Sequence, residues 1–173
     1  LGISEREFAH CISMAVVPNI TLKQTRMGHL STWKMAASGQ AGRAGVFSAM
    51  LAKAGLEGAH LPFVGKAGWC EHVARERFTL DVMGGNATPF KILDPTIKIR
   101  PAVGLTMAAV LAAEKVAPLK DRSGVRQITV EVYAKAKAAS GAGEHDWNPV
   151  SAETADHSIP YVVAATLMDG VLA

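Results

Sequence analysis

Apolar positions follow a helical period in the first half of the chain and alternate at two places in the second. Phe8, Cys11, Ile12 and Ala15 recur on one helical face. Ser4 can cap that helix, with Glu5 and Glu7 favourable in its first turn. The pattern breaks at Pro18, and residues 21–34, "TLKQTRMGHLSTWK", predict a loop or short irregular elements. A long helix follows, "WKMAASGQAGRAGVFSAMLAKAG", with Gly55 placed as its stop just after Lys53. Gly39, Gly42 and Gly45 lie inside it. Each costs up to about 1 kcal/mol relative to alanine, which predicts another backbone packed against them. "LEGAHLPFVGKAGWCEHVA" predicts a loop leading into a short helix over 68–74. The turn-rich "GGNATPFKILDP", residues 84–95, marks a boundary near Asp94.

Beyond that boundary the pattern changes. "TIKIR", Thr96 to Arg100, alternates and is β-branched, predicting a strand. A helix is expected from Pro101 through "PAVGLTMAAVLAAEKVA". "VRQITVEVYAKA" alternates from Val125 onward and predicts a second strand, and "KAASGAGEHDWNP" predicts a loop. The last helix is led by Asp156 or Ser158 as cap, with Pro160 tolerated in its first turn. Its expected core face is Tyr161, Val162, Ala165, Leu167 and Met168. The expected fold class is α+β: the end of an all-helical domain over 1–94, then a small α+β domain over 95–173. No internal repeat is present.

Composition supports a globular chain, with 49% hydrophobic and 19% charged residues. Aromatics are few at 6%, so close packing through Ala and Gly is expected rather than an aromatic core. The net charge of +3 and pI near 9.0 come from scattered basic residues. That argues against a nucleic-acid partner and is compatible with a small anionic substrate. Cys11 and Cys70 have neither metal nor redox spacing, so a reduced, cytoplasmic protein is expected. No apolar run reaches the roughly 18 residues of a membrane span, and no signal peptide is seen. Both ends read as internal to a longer protein, so part of an active site is expected outside this stretch.

Candidate chemistry is sparse. "MGGNA" is a turn rather than a phosphate loop, and no histidine pair has metal-binding spacing. His10 reads as packed or exposed on its helix, and His60, His72 and His145 as surface residues in or near loops. Lys34 opens the Ala/Gly-rich helix. Alone it reads as a solvated lysine, but a cation beside helical N–H groups also suits a carboxylate. Lys98 points opposite to Ile97 and Ile99 in the expected strand. It is either the wet face of an edge or a carboxylate-binding or acid–base group. His157, in "DHS", is the titratable group of greatest chemical interest, although a capped core helix is the plainer reading of its surroundings.

Four phrases together resemble the MmgE/PrpD family, which includes 2-methylcitrate dehydratase: "LSTWKMAASGQAGRAGVFSAMLAKAGLEG", "PFVGKAGW", "IKIRPAVGLTMAAVLAA" and "ETADHSIPYVVAATLMDG". Their order and spacing hold over nearly the whole chain. The resemblance implies a large helical domain, a smaller α+β lid and an active site between them. It implies a cofactor-free, metal-free homodimer acting on small polycarboxylates. The activities it implies are dehydration of 2-methylcitrate in propionate breakdown, decarboxylation of cis-aconitate, or epimerisation of a smaller dicarboxylate. A non-catalytic member serving as an oligomer interface is a further possibility. Carried over residue by residue, Lys34 matches the lysine of the "LSxWK" segment, and Lys98 that of the K-x-x-P segment. Both then become candidates for substrate binding and catalysis, and His157 matches the histidine of "ADHS". One departure stands out: the family usually carries a histidine a few residues after the K-x-x-P proline. Here Pro101 is followed by "AVGLTMAAV", with Val103, Gly104 or Leu105 at that place.

Overall fold

The computed structural model describes residues 1–79 and 81–173. These residues form two compact units. One comprises Leu1–Lys23 and Met35–Asp94, the other Gln24–Lys34 and Pro95–Ala173. Gln24–Lys34 thus belongs with the later residues although it precedes most of the first unit in sequence.

In the first unit, α1 spans Glu5–Val16. Ser4 caps it as expected: its hydroxyl accepts from Glu7 N–H while the Glu7 carboxylate accepts from Ser4 N–H. The helix α2 covers Trp33–Lys53, with Trp33 and Lys34 grouped with the second unit, and Gly55 stands just past its end at φ +91°. Cys11, Ala49 and Ala52 are buried between α1 and α2. The loop after α2 lies on α1: Ser13 Oγ donates to the Ala59 carbonyl at 2.7 Å, and Gly58 N–H donates to His10 Nδ1 at 3.2 Å. A β-carbon on Gly58 would come within 2.7 Å of the His10 carbonyl, so only glycine permits this approach. Phe8, which shares a helical face with Cys11, is exposed. The expected helix over 68–74 is a short π-helical turn at Cys70–Ala74. The three interior glycines of α2 do not receive another backbone: among the described residues, a β-carbon at Gly39, Gly42 or Gly45 meets nothing within 4 Å.

The second unit is built on α3 (Met107–Glu114) and α7 (Ile159–Asp169), joined by the short helices α4 (Ala134–Ser140), α5 (Glu144–Trp147) and α6 (Ala152–Ala155). Small side chains on α3 let α7 approach. Ala109 and Ala113 meet Ile159, Val163 and Leu167, with Ala136 of α4 completing the cluster. Val110 and Val162 meet beside Ala102 and are fully buried. Burying each of these valines contributes about 1.5–3 kcal/mol. Ser158 caps α7, accepting from Tyr161 N–H at 3.0 Å. The buried face of α7 is Ile159, Val162, Val163, Thr166 and Leu167, whereas Tyr161 and Met168 are exposed.

The expected α+β class is not what forms. Among the described residues, the structure is 48% helical and 1% strand, with no sheet. Among the described residues the only β-type pairing is an isolated bridge between Gly85 and Thr88. A strand needs a neighbour for its backbone groups, and alternation alone supplies none. Thr96–Arg100 is not a strand; Ile97 and Ile99 are 92% and 60% exposed, so nothing buries the face its alternation defined. The stretch from Val125 to Tyr133 is likewise not a strand. Its Val130 and Val132 pack instead on the α3–α7 core. The helix expected from Pro101 begins only as a 3₁₀ turn at Gly104–Thr106, and "KAASGAGEHDWNP" is largely helical rather than loop.

Candidate functional site

Three polar side chains meet in the second unit. Lys34, in the first turn of α2, brings Nζ to 3.3 Å from His157 Nδ1 and 4.0 Å from Asp156 Oδ1. His157 Nδ1 is also hydrogen-bonded to Asp156 Oδ1. The Lys34 side chain is only 15% exposed, His157 21% and Asp156 38%. The solvated-lysine reading of Lys34 therefore does not hold. The cation is held against the acid and imidazole of the turn between α6 and α7.

Local structure explains the convergence. Ser151 caps α6, and Asp156 closes it in helical geometry. His157 N–H bonds back to the Thr154 carbonyl at 3.1 Å, and Ser158 N–H to that of Ala155, forming a tight turn before Ser158 starts α7. The Asp156 carbonyl in turn accepts from Val103 N–H at 2.9 Å. The stretch after Pro101 that lacks a histidine is therefore bonded directly to the Asp156–His157 turn.

Proton positions follow from donor and acceptor chemistry. An ionised carboxylate only accepts and an ammonium only donates. The Asp156–His157 bond thus requires the proton on Nδ1, and Lys34 pairs with Asp156 by charge rather than donating to Nδ1. In the neutral ring, a proton on Nδ1 leaves Nε2 of His157 with its lone pair. The group combines a partly buried cation, a carboxylate that orients an imidazole, and a second ring nitrogen, Nε2, that is a lone-pair acceptor when the imidazole is neutral. Together they can hold an anionic group and move a proton beside it. Among the described residues, no three His, Cys, Asp or Glu side chains converge as metal ligands.

Lys98, the other candidate cation, is exposed in the segment before Pro101, and no hydrogen bond or ion pair among the described residues reaches it. Its neighbour Arg100 is fixed. The guanidinium grips Glu114 at the end of α3, Nε to Oε1 at 2.5 Å and Nη2 to Oε2 at 2.8 Å. These hydrogen bonds hold the Glu114 carboxyl below the ordinary carboxylate range and raise Arg100 further. Sequence reasoning took Asp156 only as a possible cap. The adjacent acid and histidine in "DHS" were the available signal, but which way each side chain points depends on the turn. His29 and His145 also meet, ring centroids 5.6 Å apart, and nothing in their spacing announced it.

Comparison with known proteins agrees with the fourfold resemblance. Residues 1–80 match the MmgE/PrpD N-terminal domain and residues 101–173 match the MmgE/PrpD C-terminal domain. The chain belongs to the MmgE/PrpD family, whose members are in general dehydratase-like enzymes. No solved structure matches the chain. Among the described residues no helix is long and apolar enough to cross a membrane.

Proposed function

We propose that this chain carries part of the active site of a hydro-lyase of the 2-methylcitrate dehydratase type, a cytoplasmic homodimer acting on a small tricarboxylic acid without a cofactor. The observation that carries the reading is the contact of Lys34 with Asp156 and His157. Dehydration removes a proton from the carbon beside a carboxylate, breaks the neighbouring C–O bond, forms C=C and releases the hydroxyl, with a proton, as water. His157 Nε2 is the base in this reading, oriented by Asp156. Lys34 holds the carboxylate next to the proton being removed, and Lys98 a second carboxylate. The family resemblance leads one to expect a histidine after Pro101. With Val103 bonded to the Asp156 carbonyl, His157 is the proton-transfer group next to that vacated place.

The test is turnover of the whole protein with 2-methylcitrate and related tricarboxylates, followed by the ultraviolet absorbance of the unsaturated acid. Replacing His157 with Asn should lower kcat by about a hundredfold to ten-thousandfold, the usual contribution of a positioned acid–base group. Lys34→Ala should raise KM by about tenfold, equivalent to roughly 1.4 kcal/mol of lost binding. Full activity in both variants would refute the assignment. The apolar Val103–Leu105 stretch also favours a second reading, a same-family epimerase or decarboxylase on a related acid. Solvent deuterium entering the substrate without unsaturated product would indicate epimerisation, and release of CO2 decarboxylation. A dimer that binds no polycarboxylate would point to a non-catalytic member.

A further inference from the structure

The hydroxyls of Ser151 and Thr154 close a ring of hydrogen bonds on Leu30. Leu30 N–H donates to Thr154 Oγ1 at 3.2 Å, and Ser151 Oγ donates to the Leu30 carbonyl at 3.0 Å. The two hydroxyls lie 3.0 Å apart. Ser151 has one hydroxyl proton, already used on Leu30, so Thr154 donates to Ser151 and the direction round the ring is fixed. Ser151 Oγ also accepts from Thr154 N–H at 3.2 Å as the cap of α6. Thr154 is 1% exposed and Leu30 is buried, so losing the Thr154 hydroxyl strands a buried backbone N–H.

Two short pieces of chain leave this ring and meet again at the candidate site. One runs from Thr154 through the end of α6 to Asp156 and His157. The other runs from Leu30 to Lys34, whose N–H bonds the Ser31 carbonyl at 3.0 Å. They rejoin where Lys34 Nζ reaches His157 Nδ1. The ring is therefore the nearest fixed point common to both halves of the site. A cap for a four-residue helix needs only Ser151; the bonds to Leu30 do nothing for α6 itself.

We infer that Ser151 and Thr154 are positioning residues that set the separation between Lys34 and the Asp156–His157 pair without touching substrate. The inference rests on Lys34 and His157 forming the functional site. It concerns two residues to which neither the family match nor the sequence pattern assigns a role.

The test compares Thr154→Val, which keeps shape and removes the hydroxyl, with Thr154→Ser, which restores it, in the whole protein. Two probes need no substrate: the side-chain nitrogen shifts of His157 in a histidine-labelled sample, and the rate at which acetic anhydride modifies Lys34, read by mass spectrometry. With Thr154→Val folded by circular dichroism, the His157 shifts should move and Lys34 acetylation should rise severalfold. Thr154→Ser should return both to wild type. A folded Thr154→Val with both probes unchanged overturns the inference. Should Thr154→Val not fold, Ser151→Ala keeps the Leu30 N–H bond but loses the Leu30 carbonyl bond, the α6 cap and the acceptor of the Thr154 hydroxyl, and Ser151→Thr should restore all three. A shift in the same direction then supports the inference, and wild-type values overturn it. Probes that move in a protein with no turnover uphold the positioning role and count against the proposed reaction. Normal turnover with unmoved probes does the reverse.

Discussion

At the scale of single residues, the site depends on Asp156. Its carboxylate keeps the proton on His157 Nδ1 and offsets the charge of Lys34. Asp156→Asn leaves the size unchanged but removes the charge and lets an amide donate to Nδ1. We predict that the His157 proton moves toward Nε2, visible in its nitrogen shifts, and that turnover falls with it. An unchanged tautomer in Asp156→Asn would contradict the role assigned to this carboxylate. Lys34 and His157 stand out in the sequence through the family resemblance; by residue type alone, a solvated lysine and a capped core helix are the plainer readings. Asp156 does not stand out, because neighbouring side chains usually diverge. Only the turn closing α6 folds this one back onto His157. Lys98 remains an exposed lysine whose contribution substrate binding will decide.

At the scale of elements, caps were legible and strands were not. Ser4 and Ser158 were recognisable because a cap is a local arrangement within four residues. Ser158 does more than cap α7, since its hydroxyl also donates to the Asp146 carbonyl from a fully buried position. Removing it costs the cap and strands a buried carbonyl. Ser158→Ala should therefore destabilise the protein by about 2 kcal/mol. Calorimetry should show a fall in Tm of roughly 4–8 °C on that basis; a fall below a degree would mean that the α5–α7 bond carries no weight. The alternating stretches failed as predictors because a strand is defined by its neighbour. Val130 and Val132 find burial on α3 and α7, while Ile97 and Ile99 find none. The short helices α4 and α5 were hidden by Gly141 and Gly143, which read as loop.

At the scale of the whole molecule, the grouping of Gln24–Lys34 with residues 95–173 had no sequence signature, yet it brings Lys34 beside Asp156 and His157. Long-range placement of this kind depends on the Leu30 ring and not on periodicity. Two global properties follow from the structure. Val46, Phe47 and Met50 are exposed along α2, so the 173-residue chain alone should self-associate in light scattering. Replacing all three with polar residues should reduce that association. The Arg100–Glu114 pair makes stability depend on pH. Glu114 has a depressed pKa when folded, so its contribution is present above the ordinary carboxylate range and is lost as pH falls through the folded value. Denaturant midpoints measured downward from neutral pH should drop in the acid range, and Glu114→Gln should remove part of that drop.

The central claim is that Lys34 and His157 together handle a polycarboxylate. Its most direct test is calorimetric titration of 2-methylcitrate or citrate onto the whole protein and onto Lys34→Met. The account predicts binding to the wild type that weakens by about tenfold or more in the variant, the loss of one carboxylate contact. Equal affinity in the two proteins would contradict it.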